Sequence, residues 1–414
     1  NTTLTTQTLT GVGNLSLGSK NLTLTNISDD SWDGNINGTA AVNISGTNYT
    51  IAGVNDFSGT VTYSGTNALT LDNANALANA NLSLATATGN VSLGVSTNIK
   101  SLAGNATLDL AGNVLTISGG VASANNYSGV IFDSVGAGGL TISGGTQVLT
   151  GANNYTGVTT ISGGTLQVGA GGTTGALGAG NITNNANLTF NRSNAIAVAN
   201  NISGTGNLSQ AGTGTTTLSS AANSYSGTTN VTAGSLVLSG GGNANSVTNV
   251  AAGATLNVTT ASASVKSLAG SGSVVLTGKT LTLANANDSF SGVVSGTGNL
   301  TVAIGSEQLS GNNTYTGSTT INSGATLNLS GNLGNGSYAG NVIDNGTLIY
   351  SGGADQTLSG VISGSGQITK SNASSTNALI LTGANTYSGN LGIQDDAGTL
   401  SIRGAGVLGS GAYS

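Results

Sequence analysis

The 414-residue sequence contains no cysteine, histidine, proline or methionine, and only 5% of its residues are charged. Without cysteine there is no disulfide scaffold and no thiolate metal site. Without histidine and cysteine, the common nucleophilic triads cannot be assembled. No apolar run approaches the length of a transmembrane helix, so we expect no membrane insertion of this segment. These absences exclude most nucleophile and metal chemistry, and we predict no cofactor.

The small number of charges also restricts the partners. The chain has 7 basic and 13 acidic residues, which gives a formal net charge of −6. The basic residues are scattered along the sequence, whereas a nucleic-acid-binding protein concentrates positive charge in a stripe that neutralises phosphates. We therefore expect no nucleic-acid partner.

Glycine and internal repetition are what the sequence has in abundance, with 69 glycines. One phrase recurs at 149–169, 218–240, 309–331 and 381–404. In each copy a tyrosine is followed two positions later by a glycine, and then by a short run such as "TLQV" whose apolar residues share one strand face. These structural repeat residues are Tyr155 and Gly157, Tyr225 and Gly227, Tyr315 and Gly317, and Tyr387 and Gly389.

Short runs rich in Thr, Val, Ile and Leu, separated by Gly and Asn turns, are typical of an all-β solenoid. The absence of proline leaves every backbone N–H free to pair with the next coil. We predict a right-handed parallel β-solenoid (β-helix) of roughly 20 short coils. It would be a single continuous solenoid over 1–414, with divergent coils in 1–50 and repeat modules over 100–414. Several β-sandwiches are the alternative, for which four Phe and one Trp are few.

The phrases "SGVISGSGQIT", "LTGANTYSG" and "GTLSIRG" resemble the passenger-associated transport repeat, also called the autotransporter-associated β-strand repeat. The resemblance implies a β-helical passenger of a bacterial surface protein, exported through an outer-membrane barrel and therefore extracellular or at the cell surface. It brings no catalytic residues. The sequence lacks the alternating pattern of such a barrel and stops part-way through a module. We interpret it as cut from a longer protein, or as completed by another copy.

With histidine and cysteine absent, carboxylates are the side chains left for catalysis or metal binding. In "DDSWDG" (29–34), Asp29 and Asp33 have the spacing that opens a calcium loop, but Ala40 stands where a bidentate Glu is needed. They form a weak candidate metal site, with a solvated corner as the alternative. A solvated turn is also the interpretation of the Asp395–Asp396 pair. Trp32 is the residue most suggestive of glycan contact, while the repeat tyrosines could either close corners or stack on sugars.

The main functional hypothesis is a non-enzymatic structural or adhesive protein, a stiff rod for surface display, cell adhesion or matrix. One alternative is a filament subunit that binds copies of itself end to end, because neither terminus shows a cap that would protect a solenoid end. A second alternative is a glycan-binding or polysaccharide-cleaving β-helix that recognises host or matrix glycans. Cleavage would need paired carboxylates, for which Asp29, Asp30 and Asp33 are the candidates.

Overall fold

A computed structural model of the chain describes residues 3–26, 28–84, 87–119, 125–371, 376–394 and 398–403. Over these residues the regular structure consists of β-strands and one 3-10 helix, η1, at Gly334–Gly336. Paired strands run parallel, as between residues 3–6 and 21–26 and between residues 378–381 and 399–402. The fold is an all-β parallel solenoid of about 19 turns, and this confirms the predicted fold class.

The chain divides into two compact units, one formed by residues 1–194 and 200–207 and the other by residues 195–199 and 208–414. Each unit is built from stacked short strands. That the solenoid is single and continuous over 1–414 stays a prediction.

The strands as far as residue 190 lie in the first unit and are β1 (Thr3–Thr6), β2 (Asn14–Gly18), β3 (Asn21–Asn26), β4 (Asp30–Trp32), β5 (Asn35–Gly38), β6 (Val42–Gly46), β7 (Tyr49–Ile51), β8 (Asp56–Phe57), β9 (Thr60–Tyr63), β10 (Leu69–Leu71), β11 (Leu77–Leu84), β12 (Val91–Leu93), β13 (Thr97–Gly104), β14 (Leu108–Asp109), β15 (Val114–Ile117), β16 (Asn126–Tyr127), β17 (Ile131–Phe132), β18 (Gly139–Ile142), β19 (Thr146–Leu149), β20 (Thr159–Ile161), β21 (Thr165–Val168), β22 (Ile182–Asn184) and β23 (Asn187–Phe190).

The later strands, of which β25 belongs to the first unit, are β24 (Ile196–Val198), β25 (Ile202–Ser203), β26 (Asn207–Gln210), β27 (Thr215–Leu218), β28 (Thr229–Val231), β29 (Ser235–Leu238), β30 (Gly242–Val250), β31 (Thr255–Val258), β32 (Ala263–Gly270), β33 (Ser273–Leu276), β34 (Thr280–Leu283), β35 (Ser289–Phe290), β36 (Val293–Gly296), β37 (Asn299–Val302), β38 (Gly305–Leu309), β39 (Asn312–Asn313), β40 (Thr319–Ile321), β41 (Ala325–Leu329), β42 (Asn332–Leu333), β43 (Ser337–Tyr338), β44 (Val342–Asp344), β45 (Thr347–Tyr350), β46 (Gln356–Leu358), β47 (Ile362–Ser363), β48 (Gln367–Lys370), β49 (Ala378–Leu381), β50 (Leu391–Ile393) and β51 (Thr399–Ile402).

Each coil places its strands directly over those of the coil before. In the first unit β18 pairs with β20, Leu140 opposite Thr159, and β20 pairs with β22, Thr159 opposite Ile182. Side-chain hydrogen bonds from one coil to the next commonly join residues about twenty positions apart, for example 19 and 21 positions. Neighbours in space are therefore distant in sequence, and stability is a sum of coil-to-coil interfaces.

The interior of each coil is filled by the apolar residues of the alternating runs. In β21, Leu166 and Val168 are fully buried, and Leu236 of β29 and Leu327 of β41 repeat this arrangement. The fourth phrase differs, because Ile402 of β51 is 37% exposed. It belongs to the last strand of the described chain, and no described coil lies over it.

Candidate functional site

The four repeat tyrosines lie inside the coils, each at the corner that precedes a short strand. Each is at most 1% exposed. The hydroxyl of Tyr155 hydrogen-bonds to Oγ1 of Thr159 at 2.7 Å, and the same contact recurs at Tyr225 and Tyr315, at 2.7 and 2.6 Å. At Tyr387 the matching position is occupied by Leu391. In this arrangement the phenol rings fill the core, so they are not available to a ligand at the surface.

The glycines two positions after Tyr155, Tyr315 and Tyr387 lie where successive coils approach closely. A methyl group on Gly157 would collide with the carbonyl oxygen of Gly138, and one on Gly317 with that of Gly298. Gly389 meets the preceding coil in the same way, while the carbonyl oxygen of Gly227 accepts a hydrogen bond from the hydroxyl of Ser246 at 2.7 Å. Neither Gly157 nor Gly317 has a positive φ, so the close backbone approach is what requires glycine there.

An asparagine two positions before the tyrosine joins three coils, and the sequence analysis did not single it out. Asn153 accepts a hydrogen bond from the backbone N–H of Ile131 at 2.9 Å and donates one to the carbonyl of Ala176 at 2.7 Å. Asn313 accepts from Val294 and Asn385 from Ile362, each at 2.9 Å. We call these residues the corner asparagines. In the second phrase, Asn223 instead donates to the nearby carbonyl of Ser220.

The same corner occurs outside the four phrases. Phe57, Tyr127 and Phe290 are buried aromatic residues followed by Ser-Gly, and each glycine is pressed against a carbonyl of the preceding coil. Asn55, two positions before Phe57, accepts from Ile36 at 2.6 Å and donates to Ala76 at 2.9 Å. The signal that could have found these corners is an aromatic residue followed by Ser-Gly. Asn stands two positions before Phe57 and Tyr127, whereas Asp288 stands there before Phe290.

The candidate metal site is a strand and its two flanks. Asp29 and Asp33 are exposed on either side of β4, and Oδ1 of Asp33 accepts a hydrogen bond from Ser31 at 2.9 Å. Asp30 lies on the strand itself and accepts from Ser28 at 3.0 Å. Among the residues that the structure describes, no group of three or more Asp, Glu, His or Cys side chains could hold a metal ion. Cation binding by Asp29 and Asp33 stays a prediction.

Trp32, the candidate for glycan contact, faces inward. Only 6% of it is exposed, and its ring packs over Gly34, where a Cβ would come within 2.7 Å of the indole. It lines an apolar cavity of about 20 Å³ together with Leu24 and Ile36, a volume near that of one water. Glycan contact by Trp32 remains untested, and the burial of the indole does not support it. Asp395 and Asp396 lie outside the described residues.

Two surface recesses occur at equivalent positions of the repeated sequence. One is lined by Asn79, Lys100 and Ser118, and the other by Asn245, Lys266 and Ala284, each 166 positions later. Each lies beside a β-bulge, in β11 and in β30, where the register against the next strand shifts. We call them the lysine recesses. Each combines an ammonium group with an amide, which suits an anionic or polar ligand group.

Four segments of the chain match the passenger-associated-transport-repeat family: 143–168, 208–238, 293–329 and 374–402. Each contains one of the four repeat tyrosines. These segments together span less than half of the chain, which therefore contains four copies of this repeat. The predicted resemblance is thereby confirmed, and the matched segments contain the tyrosines that close the corners of the coils.

A stretch of 187 residues of this repeat protein is 35% identical to "Adhesin BmaC autotransporter" from Brucella suis biovar 1 (strain 1330). The match covers 40% of this chain and 5% of the adhesin, so the chain corresponds to a small part of that relative. No solved structure matches the chain. In the described ranges, no helix is long and apolar enough to cross a membrane.

Proposed function

We propose that this repeat protein is a non-enzymatic segment of the passenger of a bacterial adhesin, displayed at the cell surface or released outside the cell. The observation that carries this proposal is that the repeat residues serve to stack the coils. In the matched segments the recurring tyrosine, its glycine and the corner asparagine contact neighbouring coils. The repeat thus supplies a scaffold, and contact with a partner is left to the outward-facing positions. Similarity to an autotransporter adhesin supports the same role.

The outward positions of the strands carry hydroxyl groups in rows. Thr141, Thr160 and Thr183 are neighbours in successive coils of the first unit, each half-buried on the outer side. Such a row offers donors and acceptors at the spacing of adjacent strands, about 4.8 Å, and carries no charge. It suits a polar polymer lying along the strand stack, such as a host or matrix glycan.

The lysine recesses are where we propose that acidic groups of such a partner bind. Lys100 and Lys266 supply positive charge in a chain with a formal net charge of −6. A matched pair for comparison is Lys20 and Lys279, which line neither recess. Chondroitin sulfate on a solid support, with neutral dextran as reference, is a suitable probe. We expect the double variant Lys100→Ala/Lys266→Ala to be retained less on chondroitin sulfate than the wild type. The double variant Lys20→Ala/Lys279→Ala should be retained more strongly than the first variant.

Adhesion itself is tested by displaying the chain on a non-adherent bacterial strain and counting cells that remain on epithelial monolayers and on matrix-coated plates. The expected result is a gain over cells that display an unrelated passenger. No gain on either surface would contradict the adhesive role, and release of oligosaccharides from the matrix would contradict the non-enzymatic one. The filament subunit and the polysaccharide-cleaving β-helix stay predictions, because no contact in the described chain favours either.

A further inference from the structure

Two buried acidic residues of the second unit stand where the first unit has amides. Glu307 precedes Tyr315 by eight positions, as Gln147 precedes Tyr155. Asp344 pairs with Ile321 at the end of β40, as Asn184 pairs with Ile161 at the end of β20. Glu307 is fully buried and Asp344 is 1% exposed. The two units thus share two interior positions that differ by an acid in place of an amide.

The first of these positions requires both an acceptor and a donor. The side-chain oxygen of Gln147 accepts from the backbone N–H of Leu102 at 3.3 Å, and its nitrogen donates to the carbonyl of Leu102 at 3.0 Å and to that of Asn125 at 2.7 Å. Gln356 binds the N–H and the carbonyl of Leu333 in the same way, at 2.8 and 3.1 Å. An ionised carboxylate could only accept hydrogen bonds there.

Glu307 occupies this position beside Leu268, the counterpart of Leu102 in the repeated "KSLAG" sequence. Its Oε2 accepts a hydrogen bond from the hydroxyl of Ser267 at 3.0 Å. Its Oε1 is buried and has no hydrogen-bond partner. A proton on this carboxyl would restore the donor that the amide of Gln147 supplies.

The second position repeats the pattern. Asn184 accepts from the N–H of Ala186 at 3.2 Å and donates to the carbonyl of Asn207 at 2.8 Å. Asp344 accepts from the N–H of Gly346 at 3.0 Å, but its Oδ2 is buried without a partner. The missing interaction is again the one in which an amide nitrogen would donate.

Burial sets the protonation of both groups. It raises the pKa of Glu307 to about 8, and the negative charge of Asp288 adds to this rise, while hydrogen bonds from Ser267 and Leu268 lower it. It raises the pKa of Asp344 to about 6, against hydrogen bonds from the backbone of Gly346 and Leu348.

The strands paired with the two acids bring no compensating cation to face them. Lys266, on β32 next to Ser267, lies on the outer side of the strand, opposite the inward-facing serine. Strand β41, over Glu307, and strands β40 and β47, on either side of Asp344, contain no ionisable side chain. Strand β45, which follows Asp344, carries Tyr350, and β48 carries Lys370 beside that ring.

We propose that Glu307 and Asp344, as neutral carboxyl groups, substitute for side-chain amides, and that their ionisation weakens the coil stacking of the second unit as the pH rises from acidic toward neutral and slightly above. The first unit, with Gln147 and Asn184 in these positions, lacks this sensitivity.

The direction follows from proton linkage. The ordinary pKa values are 4.5 for Glu307 and 3.8 for Asp344, so the folded state holds more protons than the unfolded state above these values. Stability is therefore full at acidic pH and falls as the pH rises, until about pH 8 for Glu307 and about pH 6 for Asp344. Between its ordinary pKa and its raised pKa in the folded state, each carboxyl raises the unfolding equilibrium constant about tenfold per pH unit.

Hydrogen exchange of the full chain, followed by mass spectrometry between about pH 4 and about pH 9, a range that spans both transitions, tests the proposal. The wild type is compared at each pH with the variant Glu307→Gln/Asp344→Asn. Because both proteins have the same intrinsic exchange chemistry, their rate ratio is free of the chemical pH dependence of exchange. We expect the wild-type rate relative to the variant to rise with pH for peptides from β32 and β38, and to stay constant for β13 and β19. A constant ratio in the second unit, or an equal rise in both units, overturns the proposal.

Two further measurements keep the result interpretable if the double variant folds poorly. The reverse variant Gln147→Glu/Asn184→Asp should transfer the pH response to the first unit. Infrared spectroscopy of the wild type at neutral pH should show the band of a protonated carboxyl, and Glu307→Gln alone should reduce it. Absence of that band in the folded wild type would show that Glu307 is ionised and would contradict the proposal.

Discussion

At the scale of single residues, the corner asparagines and the tyrosines they accompany both connect neighbouring coils. Asn153 satisfies one backbone N–H and one carbonyl in different coils, and the hydroxyl of Tyr155 bonds to Thr159 in its own corner and to the backbone of Gly178 in the next coil. Buried backbone groups that lose their partner cost about 1–3 kcal/mol each. The asparagine therefore stabilises the stacking, and the tyrosine ring fills the space beneath it.

We expect Asn153→Ala to lower the free energy of unfolding by about 2–6 kcal/mol, because it leaves the N–H of Ile131 and the carbonyl of Ala176 unpaired. Equilibrium unfolding in urea measures this. Asn154→Ala is the matched control, since Asn154 is exposed and directly adjacent. Equal effects of the two substitutions would contradict the role of the corner asparagine.

Gly157 tests the close approach of coils. We expect Gly157→Ala to destabilise the chain by about 1–3 kcal/mol, the range for forcing extra volume into a packed interior, because the added methyl collides with the carbonyl of Gly138. Gly172→Ala, where a Cβ meets nothing within 4 Å, should leave the thermal midpoint almost unchanged. A shift of the same size at both positions would rule out backbone crowding as the cause.

At the scale of elements, the alternating runs predicted the short strands, and the four strands of 8 or 9 residues, β11, β13, β30 and β32, departed from that expectation. β11 and β30 have 8 and 9 residues and each contains a bulge. Their sequences, "LANANLSL" and "GNANSVTNV", are rich in Asn, whose local propensity favours a turn. Pairing on both sides kept them extended, and the bulges produced the lysine recesses.

Strand β20 tests whether pairing on both sides, rather than side-chain burial, stabilises an element. Thr160 points outward, and its strand pairs with β18 and β22. We expect Thr160→Pro to cost about 3 kcal/mol or more, because proline removes a ladder N–H. Thr160→Val keeps the N–H and a β-branched side chain, so it should change the thermal midpoint little. If the proline variant melts like the wild type, the ladder through β20 is not required.

At the scale of the whole molecule, the coil is the unit of construction. In the first unit, Leu140 of β18 lies under Thr159 of β20, and Leu140 itself lies over Leu115 of β15. Removal of residues 140–158 would place Thr159 where Leu140 stood and would keep every later strand in register. Some hydrogen bonds, such as that from Gln147 to Leu102, reach two coils back. Most contacts join adjacent coils, so such a change costs mainly one set of interfaces.

We accordingly expect the chain without residues 140–158 to fold, with a strand content by circular dichroism close to that of the wild type. Removal of residues 149–158 alone leaves part of a coil that cannot close, so we expect that variant to lose cooperative unfolding. A partial-coil deletion as stable as the whole-coil deletion would contradict a solenoid built from closed turns.

The sequence by itself determined the repeat family, the all-β solenoid and the exclusion of histidine and cysteine chemistry, because these depend on composition and on local patterns that recur. The positions of the repeat tyrosines and glycines at corners also follow from their spacing. Only the tertiary structure decided which polar side chains face inward. Trp32 is buried although aspartates flank it, Asn153 spans three coils, and Glu307 lies beside Leu268. The physical reason is that burial and hydrogen bonding here are set by coils about twenty to forty residues away, which local sequence does not reveal.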